Sequence, residues 1–138
     1  MYLVQTDIEK GIYPEILNVL SRNPENIANA IAEAMSEVAA YLNARYNITA
    51  EYAATGTSRN TMIVKLVRDI ALYNCYNISN PVNMPESRVQ KYKDTISFLK
   101  DVQSEKASIE GLTRLDSSTG TGSSYIRFGG NKKRNNNY

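Results

Sequence analysis

Histidine and tryptophan are absent from this 138-residue chain, and cysteine occurs once. Without histidine the commonest general base is missing, and so is the side chain that titrates near neutral pH. One cysteine and no histidine cannot supply a tetrahedral nitrogen–sulfur set for zinc. An intramolecular disulfide is likewise excluded, which suits an intracellular protein. No apolar run is long and charge-free enough to cross a membrane. The opening MYLVQTDIEKG has no basic segment followed by an apolar one, so no signal peptide is expected. The glycine-bearing segments TGTS (55–58) and STGTGSS (118–124) lack the Gly-Lys-Ser/Thr ending that sets a lysine on phosphates, which argues against a nucleotide site. Glu33 and Glu37 lie one helical turn apart, and Asp7, Glu9 and Glu15 are scattered; carboxylates so placed are most often solvated. Nothing combines nucleophile, base and oxyanion donor. The expectation is a protein that is not an enzyme and needs no metal or cofactor.

What the chain does have is one dense apolar stretch, Arg59 to Tyr76. Met62, Leu66, Ile70 and Tyr73 make one helical row, and Ile63, Val67 and Ala71 a second beside it. Lys65, Arg68 and Asp69 are its main polar breaks. Two adjacent apolar rows bury a helix over most of its circumference. Cys75, in the same stretch, reads as a small buried hydrophobe. The fold expected is all-α, a small helical bundle around this central helix, with an extended C-terminal arm.

Thr6 and Glu9 form a capping-box pair that would open a short first helix, which Gly11 ends. Pro14 suits the first position of a second, PEILNVLS, with Ile16, Leu17 and Leu20 on one face. Asn23-Pro24-Glu25 opens a long helix to about Tyr46. Its apolar stripe is Ile27, Ile31, Ala34, Val38 and Leu42. Its many alanines keep it thin, so a helix of this chain or of another copy can approach closely. Residues 47–58 read as a loop, with Ser58 capping the central helix, which ends near Asn77. Two prolines, Pro81 and Pro85, mark an irregular connection. A last helix runs from Glu86 to about Glu105 with Val89, Tyr92, Ile96 and Leu99 inward. No alternating strand pattern stands out. The ten tyrosines leave two readings open. Tyr41, Tyr73, Tyr76 and Tyr92 suit either core packing or a subunit interface.

The division expected is a helical domain over 1–112, a Gly/Ser/Thr linker over 113–124 and a terminal arm over 125–138. Residues 114–138 carry five basic side chains against Asp116, a charge of +4. The other 113 residues therefore carry −2 of the total +2. In the arm, Tyr125, Ile126, Arg127 and Phe128 precede Gly129 and Gly130. Asn131, Lys132, Lys133, Arg134, Asn135, Asn136, Asn137 and Tyr138 finish it. Ile126 and Phe128 fall on the same side of an extended segment. With two glycines and a compact basic cluster they suit a peptide that docks in a partner's groove or adds to its sheet. The alternative is a small helical nucleic-acid-binding protein, with Lys132, Lys133 and Arg134 on phosphates and Tyr125 or Phe128 stacked on bases. Three such contacts give only weak, salt-sensitive binding.

Four stretches resemble a known family: YLVQTDIEKGI (2–12), YLNARYN (41–47), KLVRDIALYNCY (65–76) and IRFGGNKKRNNNY (126–138). They are similar to the small helical head–tail adaptors, or connectors, of tailed phages, of the Mu-like virion-protein type. The last stretch carries the family's ending: Ile-Arg-aromatic-Gly, then Asn, basic residues, Asn and a final Tyr. It departs at Phe128, Gly130 and Lys132, where the family prefers Trp, Ser and Pro. The resemblance implies a structural protein of the virion neck, made in the host cytoplasm. It implies a ring, often of twelve copies, between the portal protein and the next neck or tail protein. Packaged DNA would pass through the lumen without sequence-specific contact. The arm, Tyr125 to Tyr138, would anchor to the portal or to a neighbouring subunit.

Overall fold

The computed structural model of the protein describes residues 1–20, 22–79 and 81–115. The expected linker beyond Leu115 and the whole expected arm lie outside the described residues. Within them the chain forms six α-helices: α1 (Gln5–Glu9), α2 (Pro14–Leu20), α3 (Pro24–Leu42), α4 (Ile48–Tyr52), α5 (Thr61–Ser79) and α6 (Glu86–Gln103). The fold is all-α. Its only β feature among the described residues is a single antiparallel bridge, Tyr46 to Arg114.

The three long helices α3, α5 and α6 each touch the other two, and α5 also carries α1 and α2. This makes α5 the central helix, as its paired apolar rows require. Ile63, Val67, Ile70, Ala71 and Leu72 are fully enclosed. Val38 and Leu42 of α3 and Leu99 and Val102 of α6 meet them in the middle. The expected α3 stripe is buried residue for residue, and Asn23 caps that helix by accepting from the Glu25 N–H at 3.2 Å.

Several boundaries differ from the sequence reading, each for a local reason. Thr6 does not cap α1. The helix begins at Gln5 with Val4 in the cap position, and the Asp7 carboxylate reaches back to the Val4 N–H at 3.2 Å. α3 stops at Leu42, where the N–H groups of Arg45 and Tyr46 turn back onto the Leu42 carbonyl and swing Tyr46 into the core. The segment read as a loop contains α4, capped by Asn47, whose side chain accepts from the Ala50 N–H at 3.0 Å. Ser58 closes a 3-10 turn by donating to the Thr55 carbonyl. Asn60 caps α5 in its place, accepting from the N–H groups of Met62 and Ile63. On α6 the deepest residues are Thr95, Leu99 and Val102, while Val89, Tyr92 and Ile96 are half-buried. The helix seats its C-terminal half deepest.

Candidate functional site

The residues expected to dock on a partner, Tyr125 to Tyr138, lie outside the described residues. The structure does define the root from which they emerge. After α6 the chain folds back along the corner between α3 and α4. The Arg45 guanidinium donates to the carbonyls of Val102 and, at 3.1 Å, Ala107. The Tyr46 hydroxyl, in a side chain 1% exposed, accepts from the Ile109 N–H at 3.1 Å. Asn60 donates to the Glu110 carbonyl at 2.7 Å. Gly111 then turns the chain at φ +80°, a conformation that side chains disfavour. Two backbone bonds complete the return, Asn47 N–H to the Thr113 carbonyl and Leu115 N–H to the Arg45 carbonyl, both 2.9 Å. Residues 113–115, the first three of the expected linker, are thus bonded to the body.

A second network ties the N-terminus to the same side. Arg59 spans the Asp7 carboxylate with two N–H groups, at 2.6 and 3.3 Å, and donates to the carbonyls of Tyr2 and Gly56. The Arg59 hydrogen bond holds the Asp7 carboxyl below the usual carboxylate range, against the opposing effect of burial. Glu51 accepts from the Tyr2 hydroxyl at 2.5 Å and from the Asn60 N–H at 2.6 Å. Burial first, and the Glu51 carboxylate second, push the Tyr2 phenol far up. These are positioning interactions: they fix four chain segments to one another.

The four tyrosines singled out in the sequence all make contacts within the molecule, with Tyr41 half-buried against the core. Tyr76 is buried. Tyr73 and Tyr92 stack with centroids 4.0 Å apart, joining α5 to α6. The Tyr92 hydroxyl donates to Glu37 at 3.0 Å, and burial followed by that carboxylate pushes its phenol up to about 12. Glu37 is thereby engaged, and Glu33 is exposed one turn away. Cys75 is 2% exposed, and burial pushes its thiol up to about 11.

Two surfaces of opposite character remain. The outward face of α3 exposes Glu25, Ala28, Asn29, Ala32, Glu33, Ser36 and Ala40. The charged side chains of α3 are all glutamates. Beside this face lies a shallow depression of about 400 Å³ walled by Met1, Met35, Ala39 and Tyr52. On α5 and α6 a groove of about 310 Å³ is lined by Lys65, Arg68, Asp69, Lys91, Asp94, Thr95 and Phe98. It adjoins a cleft of about 540 Å³ that shares Lys91 and adds Lys10, Tyr13, Tyr76 and Arg88. Gly11 forms the cleft's rim because Arg68 passes beneath it: a Cβ there would sit 3.1 Å from the Arg68 Cδ. In the sequence Lys65, Arg68 and Asp69 stand out only as breaks in an apolar run. Their spacing of three and four residues was the signal that they share one helix edge.

Against known families, residues 2–125 match the model described as Bacteriophage Mu, Gp36. The chain belongs to this family. The match takes in all six helices and the root of the tail, and residues 126–138 lie beyond it. No curated protein matches the chain. Among the described residues, no helix is long and apolar enough to cross a membrane.

Proposed function

We propose that this member of the Mu Gp36 family is a structural protein of the virion neck, a head–tail adaptor that forms a ring between the portal and the next neck or tail protein. The family match over residues 2–125 is the observation that carries the reading. The terminal sequence IRFGGNKKRNNNY supports it through its likeness to adaptor endings. In this reading the helical body supplies subunit contacts, and residues 125–138 bind the portal or an adjoining copy. Each arm contributes modest affinity, and a ring of arms on a symmetric partner holds far more tightly than any one of them.

A chain truncated after Ser124 tests the arm. It is expected to keep the helical circular dichroism of the full protein and to lose co-purification with portal. Truncated protein that still joined heads to tails would remove the arm from the mechanism. Immunogold labelling of virions tests the location, with label expected at the neck. The alternative, a nucleic-acid-binding protein, draws on the Lys65–Arg68–Lys91 groove and the exposed Tyr13. It predicts a gel shift of duplex DNA that collapses between low and moderate salt.

A further inference from the structure

The ring reading leaves open which surfaces meet at each joint, and two observations bear on it. The first is Asp69. Its side chain lines the α5–α6 groove and is only 8% exposed. Among the described residues it accepts no hydrogen bond and has no cation within 4.0 Å. No side-chain oxygen among the described residues is both buried and unpartnered, so the Asp69 carboxylate keeps a narrow opening to water, through which a docked donor can reach it. Around it Lys65, Arg68 and Lys91 likewise have no carboxylate within 4.0 Å among the described residues. The groove therefore offers three uncommitted cations at its walls and one uncommitted acceptor near its floor, with Asp94 at its edge.

The second observation is the far side of the bundle. α3, α5 and α6 touch pairwise, and the groove is lined by α5 and α6 alone. It therefore opens away from α3. The outward face of α3 carries Glu25, Asn29 and Glu33 on one row, each one turn from the next, about 6 Å along the axis. Two acids flank an amide donor. Ala28 and Ala32 run alongside, so nothing bulky holds a partner off. The row supplies what the groove lacks: carboxylates for the cations, and an N–H donor for Asp69. A surface whose complement lies on the opposite side of the same molecule makes a head-to-tail joint, the kind from which a ring is built where the rotation between copies closes.

We infer that the Glu25–Asn29–Glu33 row of one copy seats in the Lys65–Arg68–Asp69–Lys91 groove of the next. The glutamates meet the cations, and the Asn29 amide donates to Asp69. The inference rests on the ring reading above.

Two double variants of the full chain test it: Glu25→Lys with Glu33→Lys, and Lys65→Glu with Lys91→Glu. All four positions are exposed, so folding is preserved, and circular dichroism checks this. Sedimentation velocity at low salt reads assembly. Wild-type protein is expected to associate, and less so as salt rises. Each double variant alone brings like charges together and is expected to associate about tenfold or more weakly. Mixing the two restores opposite charge at both kinds of joint, and with it the wild-type assembly. Double variants that assemble like wild type, or a mixture that fails to recover, overturn the inference while leaving the ring intact. Wild-type protein that stays single at every concentration overturns the ring and this joint together. If such single copies shift a short labelled DNA duplex, and the Lys65→Glu/Lys91→Glu variant does not, the groove is a nucleic-acid surface instead.

Discussion

Replacing Tyr46 by Phe removes one oxygen from a side chain that is 1% exposed and leaves its ring in place. That oxygen accepts the Ile109 N–H at 3.1 Å, and Ile109 is itself 5% exposed. The substitution strands a buried donor without an acceptor, a loss of about 1–3 kcal/mol. Ile109 retains a little access to water, so about 1.5 kcal/mol is expected. For a helical body of this size that lowers Tm by roughly 6 °C. The local consequence is more telling. Ile109 is one of the anchors that hold residues 104–115 against the α3–α4 corner. Hydrogen exchange at Ile109 and Leu115 should accelerate about tenfold, since about 1.4 kcal/mol is a factor of ten. Amides of α5, such as Val67 and Ile70, exchange through global unfolding and should accelerate by a similar factor, following the global loss of about 1.5 kcal/mol. Tyr41→Phe is the control: Tyr41 is half-buried, and its hydroxyl has no partner among the described residues. A Tyr46→Phe protein with unchanged Tm and unchanged protection at Ile109 would refute the role assigned to the hydroxyl.

Two further outcomes follow from the buried ionisable groups. Asp7→Asn should cost about 2–3 kcal/mol near neutral pH, because Arg59 loses its paired carboxylate in a site with little water. Asp7 is depressed in the folded state, so its contribution is complete above the unfolded carboxylate value of about 4 and fades as pH falls through the folded one. Melts of wild type and Asp7→Asn should therefore converge below about pH 4; curves that stay parallel into acid would contradict the pairing. Cys75, enclosed and with its thiol pushed up to about 11, should resist alkylation at pH 8 in folded protein and react once denatured, as thiol titration would show.

The core was legible in the sequence because it rests on periodicity alone. Ile27, Ile31, Ala34, Val38 and Leu42 repeat at helical spacing, and burial follows that spacing without help from distant residues. The same holds on α5 for the row Ile63, Val67 and Ala71, and for Leu66 and Ile70 of the row beside it, whose ends Met62 and Tyr73 are half-buried. What the sequence did not show depends on long-range partners. Arg45 and Tyr46 looked like the end of a helix, but their hydrogen bonds reach more than fifty residues ahead, to Val102, Ala107 and Ile109. Asn60 outcompetes Ser58 as the cap of α5 because Ser58 is already bonded to Thr55. α4 is five residues long, too short for a period to register. On α6 the expected stripe is deepest at Leu99, with Tyr92 and Ile96 packed against the core, while Thr95 and Val102, outside it, are buried as well; the polar hydroxyl of a threonine hides it from an apolar count.

Net charge misled in a different way. A body charge of −2 describes a surface that is neither neutral nor uniformly acidic. The long α3 contributes only acids, and the α5–α6 groove gathers Lys65, Arg68 and Lys91 on the other side. Averaging over sequence cancels charges that the fold keeps apart, and only the separated charges act at contact range. The fixed root at Leu115 adds a second constraint on assembly. Twenty-three residues follow it, a reach of at most about 80 Å when fully extended. In the proposed ring each arm would start from a point held by backbone bonds to Arg45 and Asn47, and could reach no farther from it than that. Its effective concentration at a partner's groove is then set by the geometry of the body, so loosening the root, as Tyr46→Phe does, should weaken portal attachment without touching any residue of the arm.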